Sequence, residues 1–170
     1  MNINQLFTDK NYLEKQIQLF TNHKQIKIIE SNPELVESHL QKAKHNLSFF
    51  RLNKENEEYK DWQIVALYYA LYQASLALIT NKNYSSKNHD ATILLLIKEY
   101  SISEEEAELI NELSIGKDEA KLYTNLKKDR HDASYSTDTK FSKQIIEDYQ
   151  KQVIKFINKT EFIIKEWNLQ

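Results

Sequence analysis

The chain has no cysteine. That excludes disulfides, thiolate nucleophiles and cysteine-ligated zinc together, and it is the usage expected in a reducing cytoplasm. Glycine and proline occur once each, as Gly116 and Pro33. Sheet proteins and long-loop proteins need far more turn punctuation than this. A phosphate-cradling loop also needs several glycines, so the P-loop and the dinucleotide fingerprint are both excluded. Arginine appears only as Arg51 and Arg130, the other basic residues being lysines. A guanidinium offers a planar fork for phosphate or carboxylate that an ammonium lacks, so each arginine is worth inspecting. Neither sign of charge dominates: 23 basic residues face 25 acidic ones, for a formal charge of −2. No global field draws the chain to nucleic acid or anionic lipid.

What is present points to helices. The 170 residues suffice for one domain that buries a core without a staple. Residues Met1 to Lys10 contain no apolar core or small-residue cleavage site, so no targeting segment is expected. Leu6, Phe7, Leu13, Ile17 and Phe20 give residues 2–30 a weak helical side, with a break expected near Thr21–Lys24. Asn32, Pro33 and Glu34 form a strong helix start: a cap, a preset φ and a charge that suits the dipole. Val36, Leu40, Ala43, Leu47 and Phe50 then recur at spacings of 4, 3, 4 and 3, one stripe facing a core. The charged stretch Asn53–Lys60 is expected to end that helix.

Trp62–Thr80 is apolar nearly all round, as in a helix enclosed by its neighbours. Its apolar heart, Ile64–Ile79, is short of the ~20 residues of a membrane span, and Gln63, Gln73 and Ser75 interrupt it. A central core helix is therefore expected, and no membrane partner. Asn81–Asn88 reads as a polar connection and His89–Tyr100 as a short helix. Ser103 and Glu106 have capping-box spacing and open a helix bearing Ala107, Ile110 and Leu113, with Gly116 just past its end. A further helix is expected from about Lys117 towards Arg130, then a turn at Ser136–Thr139. The last helix carries Ile146, Tyr149, Val153, Phe156, Thr160, Ile163 and Trp167 at alternating spacings of 3 and 4, a seam for antiparallel packing. The expected fold class is all-α.

Candidate chemistry narrows quickly. The histidines are His23, His39, His45, His89 and His131, and none forms a His-x3-His pair. The carboxylates are scattered, so no metal site and no cofactor are expected. The densest run of functional groups is Lys127-Lys128-Asp129-Arg130-His131-Asp132-Ala133-Ser134-Tyr135. On a helix, His131 shares a face with Lys127 and Tyr135, and Arg130 sits beside Ser134. Lys127, Arg130 and His131 together could hold a phosphate or an RNA backbone. The plainer reading is that Arg130 pairs with a carboxylate and Tyr135 anchors a helix end.

Two segments together resemble a known family. Asp61 through Leu78, with its Trp62, Tyr68, Tyr69 and Tyr72, is similar to the central helix of HEPN domains. The polar loop with Lys87 and His89, and then Arg130-His131-Asp132-Ala133-Ser134-Tyr135, follow in the family's order. The nearest likeness is to small stand-alone archaeal and bacterial members, whose N-terminal extension joins the bundle much as Asn32-Pro33-Glu34-Leu35 through Lys44 does here. The resemblance covers roughly residues 30–165. It implies an antiparallel four-helix up-and-down bundle with an additional short helix. Residues 1–30 would form an N-terminal helical extension and 31–170 the bundle. It also implies a homodimer that binds RNA, a nucleotide or a nucleotidyltransferase partner in a toxin–antitoxin or defence context. Ligand-binding candidates are Arg130, Lys127, His131 and Tyr135, followed by His89 and Tyr72.

Many members are metal-independent endoribonucleases that use an Arg-x(4–6)-His motif at a dimer cleft to promote attack by the RNA 2′-hydroxyl. Here the corresponding positions after Arg130 are Tyr135, Ser136 and Thr137. A phenol with an ordinary pKa near ~10 is a poor base at neutral pH. A divergent catalytic site of Arg130, His131 and Tyr135 is the alternative to a binding module, and a purely structural dimerisation or adaptor bundle is the third reading.

Overall fold

Asn32 caps the longest early helix: its side chain accepts the Leu35 backbone N–H at 2.9 Å, and Pro33 occupies the first turn. In the computed structural model, which describes residues 1–115 and 142–167, this helix is α3, Pro33–Asn53. Before it come α1, Ile3–Thr8, and α2, Lys10–Asn22. After a 3-10 turn at Glu57–Tyr59 come α4, Lys60–Asn81, and α5, His89–Tyr100. Residues 104–115 form helix α6 and Lys143–Trp167 form α7. The helix end expected at Gly116, the helix from Lys117 and the turn Ser136–Thr139 lie outside the described residues.

The interior forms around α4. Ile64, Leu67, Leu71, Ala74 and Leu78 are all buried. Glu57–Asn81 is long and apolar enough to cross a membrane, yet 72% of its apolar window is buried inside the protein, as in a core helix. The expected stripe Val36, Leu40, Ala43, Leu47 and Phe50 is buried on α3, which packs along α4. Every residue from Ala91 to Ile97 is buried, so α5 is enclosed on all sides despite its 12-residue length. On α7, Ile146, Val153, Phe156 and Thr160 are buried, while Tyr149 and Ile163 are half-buried against the same core. Leu6, Leu13 and Ile17 of the first two helices belong to that core as well.

Side-chain contacts set the helix directions. Asn53 meets Gln63, and His39 meets Gln73, so α3 and α4 run antiparallel. Lys143 reaches Glu55 at 3.7 Å and Lys44 pairs with Glu161, so α7 runs antiparallel to α3. The Tyr149 hydroxyl donates to Glu112, and Lys159 binds Glu106 at 2.7 Å, so α6 and α7 are antiparallel too. The capping box forms as expected: Glu106 N–H donates to Ser103 Oγ at 3.2 Å, and the Glu106 carboxylate accepts from the Ser103 N–H at 3.0 Å.

Two short segments differ from the expected reading. Ile26–Ile28, within the stretch read as helical, forms strand β1. It pairs antiparallel with β2, Tyr84–Ser86, within the stretch read as a plain connection. Each strand has three residues, too few to show a period of two. The pairing joins segments almost 60 positions apart, which no local pattern reveals. A second departure lies at Asp9, which divides the first helical region. Its carboxylate accepts the N–H groups of Asn11 and Tyr12 and starts α2 anew.

Scarcity of glycine shows at the helix ends. Lys24, Asn83 and Ser101 take left-handed φ values of 58°, 63° and 48°, just past α2, α4 and α5. Glycine usually fills such positions, because a Cβ costs about 1 kcal/mol there.

Candidate functional site

A helix without a C-terminal glycine leaves its last carbonyls in need of donors. The residue after α3, Lys54, stays in the right-handed region and closes no terminal motif. The donor comes instead from α4. Gln63 is 3% exposed, and its Nε2 faces the carbonyls of Asn53, Lys54 and Asn56 at 2.9, 3.3 and 3.0 Å. One amide thus ties the end of α3 and the following turn to the start of α4.

Beside this tie lies a cleft of about 210 Å³ between the α3–α4 corner and the start of α7. Phe50 and Ile146 supply apolar wall, and Gln63 lines it from within. Lys54, Lys143 and Lys151 stand at it with Glu55 and Glu147. Glu55 lies 3.5 Å from Lys54 and 3.7 Å from Lys143, so much of this charge is internally compensated. The volume is below the roughly 300–1,000 Å³ of sites that enclose a drug-sized ligand. Its lining contains no histidine, hydroxyl or thiol. The cleft can seat an anionic group against its lysines.

The expected site residues divide into two groups. Lys127, Arg130, His131 and Tyr135 lie outside the described residues. Tyr72 and His89 are described, and they have different neighbours. Tyr72 is half-buried on α4, its ring stacked on Tyr68 at 5.6 Å with planes 9° apart. Tyr68 in turn meets Tyr69 edge-on at 5.1 Å. This aromatic row packs against the core. His89 is the first residue of α5. The cap there is Asn88, whose side chain accepts the Ala91 N–H at 3.1 Å. His89 Nε2 lies 2.8 Å from the Asp90 carboxylate. That contact, more than the nearby chain amine, holds the Asp90 carboxyl below its ordinary range.

The phenols are placed to donate. Burial pushes Tyr100 up to about 12, and its hydroxyl donates to the Leu78 carbonyl at 2.7 Å. Burial also raises Tyr84, helped by Glu99, and Tyr149, helped by Glu112. Phenols held protonated in this way are not bases at neutral pH. Among the described residues, no group of three or more metal-ligating side chains could hold an ion.

Sequence reasoning passed over the polar tie points within α4. Gln63, Gln73 and Ser75 look only like interruptions of an apolar run. Each has a partner: Gln63 the α3 carbonyls, Gln73 the His39 ring at 2.7 Å, and Ser75 the Leu71 carbonyl at 3.0 Å. The signal was available, because a polar side chain enclosed on a core helix must find a partner. Which partner it finds depends on the helix packed beside it.

No protein-family model matches the sequence, and no curated protein matches it.

Proposed function

We propose that the chain is a HEPN-like, cytoplasmic helical module that dimerises and binds RNA, a nucleotide or a small nucleotidyltransferase partner in a toxin–antitoxin or defence setting. The observation that carries this reading is the order of three sequence features. An apolar, tyrosine-bearing helix comes first, then a helix opening at His89, then the run Arg130 to Tyr135 ahead of the last long helix. The helix directions support it. In this reading α3, α4, α6 and α7 are the four helices of an up-and-down bundle, α5 is the additional short helix, and α1 with α2 is the extension. The contacts that run α3 antiparallel to α4, and α7 antiparallel to α3 and α6, support these directions, and α7 also packs along α4.

Binding is favoured over catalysis because no histidine stands five to seven residues beyond Arg130. Arg130 is the phosphate-binding fork in this reading, with Lys127, His131 and Tyr135 beside it. Tyr72 and His89 are secondary. The test is fluorescence anisotropy with labelled single-stranded RNA and with ATP analogues. Arg130→Ala should weaken binding at least tenfold, a typical effect of losing a charge-assisted pair. Unchanged affinity removes Arg130 from the site. RNA cleavage in EDTA by the wild type, lost in Arg130→Ala, would replace this reading with the endoribonuclease one. A dimer that binds neither probe would leave the adaptor reading.

A further inference from the structure

Gln63 uses only half of its amide. Its Nε2 faces the carbonyls of Asn53, Lys54 and Asn56, but no donor among the described residues reaches its Oε1. The amide cannot turn over, because its oxygen would then face three carbonyl oxygens. A side chain that is 3% exposed therefore keeps an acceptor without a donor, and it lines the cleft at the start of α7. An enclosed acceptor of this kind takes a donor from what enters the cleft.

The charges at the cleft come in both signs. Lys54, Lys143 and Lys151 line it with Glu55 and Glu147. Glu55 is shared between Lys54 and Lys143, at 3.5 and 3.7 Å, so one carboxylate serves two ammoniums and one positive charge is left over. Both contacts exceed the roughly 2.7–2.9 Å of a charge-assisted hydrogen bond, which leaves the lysines free to turn to a ligand. Lys151 is engaged by Asp148 at 3.3 Å. Glu147 has no ion-pair or hydrogen-bond partner among the described residues, so one negative charge is left over as well. A bare anion would meet Glu147 as a like charge. A ligand carrying both charges meets an opposite charge at each end.

Size and wall narrow the ligand further. About 210 Å³ lies below the volume of sites that enclose drug-sized molecules, so the occupant is small. Phe50 and Ile146 give it an apolar surface.

We propose that this cleft binds a free apolar α-amino acid as its zwitterion. The carboxylate goes to Lys54 and Lys143, the ammonium to Glu147 and to Gln63 Oε1, and an aliphatic side chain lies on Phe50 and Ile146. An ammonium has three N–H donors, enough for both acceptors. The proposal goes beyond the reading above. None of these residues is assigned there to RNA or nucleotide, so its failure and that of the Arg130 reading are separate results.

Titration of nitrogen-15-labelled protein with L-leucine to about 20 mM, followed through backbone amide shifts, tests the proposal, since so small a ligand at an open cleft binds in the submillimolar to millimolar range. Saturable shifts should centre on Phe50, Gln63, Ile146 and Glu147. N-acetyl-leucine lacks the ammonium and leucinamide lacks the carboxylate, and each should bind at least tenfold more weakly. Glu147→Gln and Lys143→Ala should each weaken leucine binding at least fivefold, while Lys155→Ala, further along α7, should leave it unchanged. Lys143 and Lys155 are exposed and Glu147 is half-buried, so these variants keep the core, and an unchanged amide spectrum without ligand verifies it. Inorganic phosphate or N-acetyl-leucine binding as tightly as leucine would reveal a plain anion site and overturn the proposal. A peptide ending in leucine that binds more tightly than the free amino acid overturns it too, in favour of a partner's C-terminus. Absence of saturable shifts at the cleft with leucine, valine and methionine overturns it outright.

Discussion

Gln63→Leu isolates the tie between α3 and α4. Leucine keeps the side chain's approximate size and removes the donor that faces the Asn53, Lys54 and Asn56 carbonyls. An amide has two N–H groups, so at most two of the three contacts are good bonds at once. Each is worth roughly 1 kcal/mol net. Lys54 and Asn56 are exposed, so water can take over part of what the amide supplied. Leucine also avoids the cost of burying an amide. The expected loss is therefore about 1–2 kcal/mol, or roughly 3–6 °C in Tm for a domain of this size. Urea unfolding followed by fluorescence is the assay, with Trp62 adjacent to the tie as the reporter. Gln63→Glu should lose more at pH 7, because a carboxylate then faces carbonyl oxygens. Its folded-state pKa would lie above the unfolded value, so its deficit should shrink as pH falls and the acid regains a proton to donate. A Gln63→Leu protein as stable as the wild type would refute the reasoning, since the carbonyls would then be served equally well by solvent.

Thr160 Oγ1 is buried on α7 without a hydrogen-bond partner among the described residues, so Thr160→Val should stabilise the protein by about 1 kcal/mol in the same urea assay. Ser103→Ala removes the cap of α6 and should cost about 1 kcal/mol. Tyr100 has a folded-state pKa of about 12 against an ordinary value of 10.0, so the unfolded chain loses this proton first as pH rises. Its contribution is complete below pH 10 and is lost on the way to about 12. The stability gap between wild type and Tyr100→Phe should close over that window when measured by unfolding at a series of alkaline pH values. At Lys24, with φ of 58°, Lys24→Gly should gain up to ~1 kcal/mol, seen as a higher urea midpoint.

Local rules sufficed for most of the helices. Asn32 with Pro33, Ser103 with Glu106, and the 4-3-4-3 stripe of α3 each act within a few residues, so the chain alone specifies them. The all-apolar character of α4 likewise announces burial, because its surface cannot be hidden any other way. Within the candidate site, the sequence identifies a buried glutamine but not its duty. The three carbonyls that Gln63 meets belong to residues seven to ten positions earlier, and only the α3–α4 corner brings them near.

By itself, then, the sequence determined the all-α class, the starts of α3 and α6, and which faces of α3 and α7 turn inward. These depend on interactions three or four residues apart and on the exclusion of apolar surface from water. Tertiary structure decided the pairing of β1 with β2, the partnership of His39 with Gln73 and of Lys44 with Glu161, and the tie from Gln63 to the end of α3. Each depends on backbone segments distant in the chain arriving side by side. Such meetings follow from how whole helices pack, and no short stretch of residues encodes them.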